Sequence, residues 1–167
     1  YVAGTAKAKW LDRELGWFVV GENRRGPIHH RVLKMLAVAR DGITMRAIAT
    51  SLFRDPHLAY ETGGEVALAP VTILKRAVLS WSEGVVDHGR YLHLPSIRAG
   101  DVLPPGELRC YEALAELDGI ATPEMVAETL RCDMTSLNSR LACLPFVEPL
   151  GTGIYRLVGW RQSSAEM

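Results

Sequence analysis

Thr72, Lys75 and Arg76 fall on one side of a helical segment whose other side carries Leu74 and Val78, so a hydroxyl, an ammonium and a guanidinium share one solvent-facing surface. Such groups donate hydrogen bonds to phosphate oxygens and base edges. Arg76 suits the two acceptors of a guanine edge, a contact worth about 1–3 kcal/mol of discrimination, and Lys75 and Thr72 suit phosphates. Aligning Leu137 with Leu74 sets Thr135, Asn138 and Ser139 in the matching places of a later segment, with Arg140 beside them. That second surface is mostly neutral, so these four residues are the weaker candidates. Around the first surface stand Arg24, Arg25, Arg31 and Lys34 near the start of an earlier helix, Arg46 on the next one, and His88 and Arg90 in a turn. Together they predict a basic rim for duplex DNA.

The same chain offers little for catalysis. His29, His30, His57, His88 and His93 lack partners at metal-ligand spacing, and Cys110, Cys132 and Cys143 form no C-x-x-C pair. Neither a phosphate-cradling glycine loop nor a G-x-S-x-G elbow occurs. We therefore expect no enzyme: no catalytic residue, no metal and no cofactor. The three cysteines are expected in core packing, and their small odd number fits a reducing cytoplasm.

Positioning those surfaces requires a series of short elements. Residues 1–9 read as a flexible lead-in, and the β-forming residues that end Trp10 to Val20 predict a short strand. Pro27 is placed to open a helix whose buried side is Ile28, Val32, Met35, Leu36 and Ala39, stopped by Asp41 and Gly42. Thr44 caps the next helix, with Ile48, Ala49 and Leu52 inward. A long connector, 55–69, precedes a third helix from Pro70, with Val71, Leu74, Val78 and Trp81 inward. Val85 to Leu94 then reads as a hairpin turning at Asp87, His88 and Gly89.

The pattern then repeats. Leu108, Tyr111, Leu114 and Ala115 mark a helix, Thr122 and Pro123 start another, and Asp133 caps a third, buried through Met134, Leu137, Leu141 and Leu144. Phe146 to Val158 makes the closing hairpin. Two copies of helix, helix, helix and hairpin predict a mainly α protein with small β wings (α+β), built as two tandem winged-helix units. The units are 10–95 and 107–160, joined by a proline- and glycine-bearing linker, 96–106, and followed by a tail, 161–167. The stretch from Leu144 to Gly159, LPFVEPLGTGIYRLVG, resembles the end of the HARE type of winged helix through Gly153, Tyr155 and Leu157. That resemblance covers roughly 104–159, with a weaker echo over 27–95, from which the 55–69 connector departs. It implies a module associated with DNA or transcription, as in bacterial regulators, restriction-associated proteins and the delta subunit of RNA polymerase.

Composition bounds these expectations. Of 167 residues, 48% are apolar and 23% charged, as in ordinary folded proteins, and no apolar run is long enough to span a membrane. Formal charge is zero, yet residues 1–97 carry 13 Lys and Arg against 9 Asp and Glu, and residues 98–167 carry 6 against 10. The first half is thus at +4 and the second at −4. We expect a DNA-binding transcription regulator that contacts duplex DNA mainly through the third helix and wing of the first unit, with the acidic second unit facing a protein partner. Three alternatives stay open: a module docking on RNA polymerase or a chromosome-organising partner, a homo-oligomer, or the DNA-recognition part of a longer enzyme, since the sequence starts at Tyr1.

Overall fold

The computed structural model describes residues 8–14, 16–20, 26–54, 70–81, 84–151 and 153–160. Strands β1 (Ala8–Asp12) and β2 (Trp17–Val20) form an antiparallel hairpin, with Ala8 opposite Val20 and Trp10 opposite Phe18. Helix α1 (Pro27–Val38) opens on Pro27, whose ring pre-sets the helical φ where no N–H is needed, and buries Val32, Met35, Leu36 and Val38. Thr44 caps α2 (Met45–Phe53) by accepting from the Ala47 N–H at 3.1 Å, an arrangement worth about 1 kcal/mol. The 55–69 connector lies outside the described residues, as do Arg24 and Arg25. Helix α3 (Val71–Trp81) starts on the Pro70 carbonyl, which accepts from Ile73 and Leu74. Its buried stripe is Ile73, Leu74, Ala77 and Val78; Val71, expected inward, is 47% exposed because it opens the first turn, where the stripe runs out of the core. Strands β3 (Val86–Asp87) and β4 (Leu92–His93) pair, and Ile43 and Leu92 exchange both backbone hydrogen bonds at 2.8 Å.

The second half repeats this order. Helix α5 (Pro105–Glu116) leads to β5 (Ile120–Ala121), α6 (Pro123–Leu130), α7 (Met134–Cys143), β6 (Val147–Gly151) and β7 (Ile154–Leu157). The expected caps are present: Thr122 accepts from Met125 N–H and Asp133 from Ser136 N–H. The sheet order is β5–β7–β6, so the strand after the first helix pairs with the last strand of the hairpin, as Ile43 does with β4. Gly42 and Gly119 occupy equivalent turns just before those strands, both at φ +78°, where a side chain would be strained.

One continuous core runs through both halves, from Val32 to Val158. The segment read as a linker carries the short helix α4 (Ala99–Val102), with Ala99 and Leu103 buried against that core. Several contacts cross between the halves. Trp160 Nε1 donates to the Val38 carbonyl at 2.8 Å, the Asp41 N–H to Gly159 at 2.9 Å, and Ser51 Oγ to the Pro145 carbonyl. Gly159 sits at φ +71°, and a Cβ there would lie 2.5 Å from the Ala39 Cβ, so the backbones meet only because this position has no side chain. Helices with small antiparallel sheets give the expected α+β class. No helix among the described residues is long and apolar enough to cross a membrane. Of the cysteines only Cys110 is buried; Cys132 and Cys143 are exposed, so the core role expected of all three applies to one.

Candidate nucleic-acid interface

The outward side of α3 carries Thr72, Lys75 and Arg76, and both cations there are engaged. Lys75 Nζ lies 2.7 Å from Asp87 Oδ2 and donates to the Gly89 carbonyl at 3.3 Å, tying the helix to the β3–β4 turn. The Lys75 ammonium, then the Gly89 N–H, hold the Asp87 carboxyl below its ordinary range, because both stabilise the ionised form. Arg76 Nη1 meets Asp12 Oδ2 at 3.0 Å, so the end of β1 reaches the outer side of α3. Asp12 has no sequence signal, since 64 residues separate it from Arg76. Thr72, His88 and Arg90 are exposed, Arg90 lying 5.7 Å from the Tyr91 ring centroid, and Arg46 is exposed on α2.

A different set of candidates converges where the halves join. Arg31 and Lys34 of α1 line a groove of about 560 Å³ together with Ser139 and Arg140 of α7 and the first turn of α5, including Gly106 and Glu107. Lys34, with its side chain 10% exposed, pairs with Glu107 Oε1 at 2.7 Å, and Glu107 Oε2 is buried without a hydrogen-bond partner. Arg140 makes no ion pair among the described residues. Its guanidinium rests on Gly106, where an added Cβ would stand 2.9 Å from Nη2. On its other side Arg140 borders a second pocket of about 400 Å³ with Arg109, Cys110, Cys132 and Ser136. Arg109 donates to the Leu130 carbonyl at 3.4 Å, and His30 nearby titrates below its usual value through burial first and the Lys34 charge second.

Helix α7 itself has no carboxylate between Met134 and Cys143. Thr135, Ser136, Asn138, Ser139 and Arg140 are exposed along it. Tyr155 Oη donates to Asn138 Oδ1 at 2.8 Å, which leaves the Asn138 NH2 as a donor facing out. The neighbouring α6 exposes Glu124 and Glu128, which repel phosphate from that side. In the β6–β7 hairpin Arg156 is paired with Glu148 at 2.7 Å. Gly106, Glu107 and Arg109 were missed in the sequence because their role comes from packing against α1 and α7.

The chemistry on offer is recognition by donors and cations. Burial raises the Cys110 thiol above its ordinary value, which keeps it protonated and a poor nucleophile. Among the described residues no group of three or more His, Cys, Asp or Glu could hold a metal ion. No protein-family model matches this chain, and neither a curated protein nor a solved structure matches it.

Proposed function

We propose that this chain is a tandem winged-helix module that binds duplex DNA, with α7 of the second half as its principal contact helix. The observation that carries the reading is the exposed side of α7, which bears Thr135, Ser136, Asn138 and Ser139 plus Arg140, a cation with no ion-pair partner among the described residues; Met134, expected in the core, is 45% exposed at its start. Support for the winged-helix fold is the repeated order of three helices and a hairpin, with β5 in the second half and the single Ile43 bridge in the first pairing onto the last strand of the hairpin. Such a unit leaves its third helix outward, where the Thr135, Asn138, Ser139 and Arg140 side chains reach a groove edge. Glu124 and Glu128 steer the DNA backbone away from α6 and toward the α1 side, where Arg31 and Arg140 stand.

This reading moves the main contact from the first half, where charge counting puts it, to the second. Lys75 and Arg76 already meet Asp87 and Asp12, so their charge toward a phosphate is partly neutralised by surface pairs worth about 0–1 kcal/mol each. The same pairs favour a second reading for α3: a docking face for a protein partner, with charge already balanced and Val71, Leu79 and Val86 exposed around it. Fluorescence anisotropy with a mixed-sequence duplex separates the two. Salt-sensitive binding weakened by Asn138→Ala and Arg140→Ala supports the DNA reading. No duplex binding at low salt removes it.

A further inference from the structure

We propose that Cys110 and Cys132 are a redox-responsive thiol pair, which a hydroperoxide oxidises to a disulfide that ties α5 to the turn leading into α7. Both line one pocket of about 400 Å³ between α5 and α7. Their surroundings differ. Cys110 is fully buried on α5, whereas Cys132 is exposed in the α6–α7 turn together with Arg131 and Asp133. The two backbones are held together right beside the sulfurs: Arg109, the neighbour of Cys110, donates at 3.4 Å to the carbonyl of Leu130, which shortly precedes Cys132. Burial is the main cause of the raised Cys110 thiol, the Arg140 charge opposes it, and a negative charge on Cys132 adds to it, an effect that only near neighbours exert. A disulfide needs Cα atoms about 4.4–6.8 Å apart, and the exposed turn, rather than the buried side of α5, is the part that adjusts to that span.

The oxidant meets Cys132 first, because only that thiol of the pair is exposed. Its thiolate attacks one peroxide oxygen: an S–O bond forms, the O–O bond breaks, and the departing hydroxide takes a proton from solvent and leaves as water. Cys110, shut away from the oxidant, reacts with the sulfenic acid formed in its own pocket. Its sulfur attacks the Cys132 sulfur, an S–S bond forms, the S–O bond breaks, and the hydroxide leaves as a second water with the Cys110 proton. The thiols lose two electrons and hydrogen peroxide gains them. Cys132 directly precedes Asp133, which caps α7 by accepting from the Ser136 N–H at 3.1 Å, so a bond at Cys132 resets how α7 enters its position. That consequence rests on the DNA-binding reading, and the disulfide itself does not.

The test treats the full chain with hydrogen peroxide in slight excess, blocks the remaining thiols with iodoacetamide, and maps peptides without reductant. Free thiols are expected to fall from three to one, with a Cys110–Cys132 crosslink inside one chain that a reductant reverses. Cys143, exposed on α7 and lining a different groove, is the control: Cys143→Ser is expected to keep the crosslink. Cys132→Ser, at an exposed site, is expected to lose it while melting like the unmodified chain. Thiols that stay at three, or a Cys132 taken to sulfinic acid or joined to another chain with Cys110 still free, overturn the pair. By anisotropy the oxidised chain is expected to bind duplex about fivefold more weakly than the reduced one, the scale of one lost hydrogen bond. Unchanged affinity with the crosslink in place overturns the link to α7. A crosslink in a chain that binds no duplex in either state upholds the pair and overturns the DNA reading alone. Duplex binding without a crosslink does the reverse.

Discussion

Helices α3 and α7 occupy the same place in their halves, yet their outward faces are in opposite electrostatic states. On α3 each cation is matched by a carboxylate of its own half, Lys75 by Asp87 and Arg76 by Asp12. On α7 the one cation, Arg140, has no such match among the described residues and lines a groove shared with α1 of the other half. Net charge by half points the other way, at +4 for residues 1–97 and −4 for residues 98–167. A count of charges along the chain does not see pairing. What a partner meets is the charge left over after the fold has made its own pairs, and by that measure α7 presents a more available cation than α3.

The comparison breaks most severely at the junction on which the α7 side depends. Lys34→Ala leaves Glu107 partly buried without its cation and is expected to cost about 2–4 kcal/mol in urea unfolding, a loss that Lys34→Ala/Glu107→Gln recovers in part. Next in size, Arg140→Ala is expected to reduce duplex affinity about tenfold, while Arg76→Ala changes it by less than about twofold. A smaller effect sharpens the α3 side. Asp12→Asn removes the carboxylate that meets Arg76, and duplex affinity is expected to stay within about twofold, the scale of a surface ion pair, because the contact is made by α7; a rise well beyond that would bring α3 to the duplex. The smallest effect is in acid. The Asp87 pKa is depressed in the folded protein, so its contribution is present above the unfolded value and is lost as pH falls through the folded one. An NMR titration of the Asp87 carboxyl carbon is expected to give a midpoint below the usual 3.8, returning toward it in Lys75→Ala.

Local signals were legible in the sequence. Pro27, Thr44, Thr122 and Asp133 each act within the first turn of a helix, so residue type and spacing suffice to place them, and the structure has all four where expected. The paired-copy pattern of helices and hairpins was likewise readable, because buried positions repeat at helical spacing. The contacts that decide the site are of another kind. Arg76 and Asp12 are 64 residues apart, Lys34 and Glu107 73, and Trp160 and Val38 122, and nothing in local periodicity links such pairs. Strand β1 and helix α4 were missed for a related reason: Ala8–Asp12 and Ala99–Val102 are short, and tertiary pairing stabilises them more than propensity does.

The most direct measurement is duplex binding by anisotropy across a range of salt for two variants side by side, Arg140→Ala and Lys75→Ala/Arg76→Ala. If α7 is the contact helix, Arg140→Ala lowers affinity about tenfold and the salt slope by about one, while the α3 double variant stays close to the unmodified protein. A large loss in the α3 double variant with Arg140→Ala unaffected would contradict it, and return the contact to the first half.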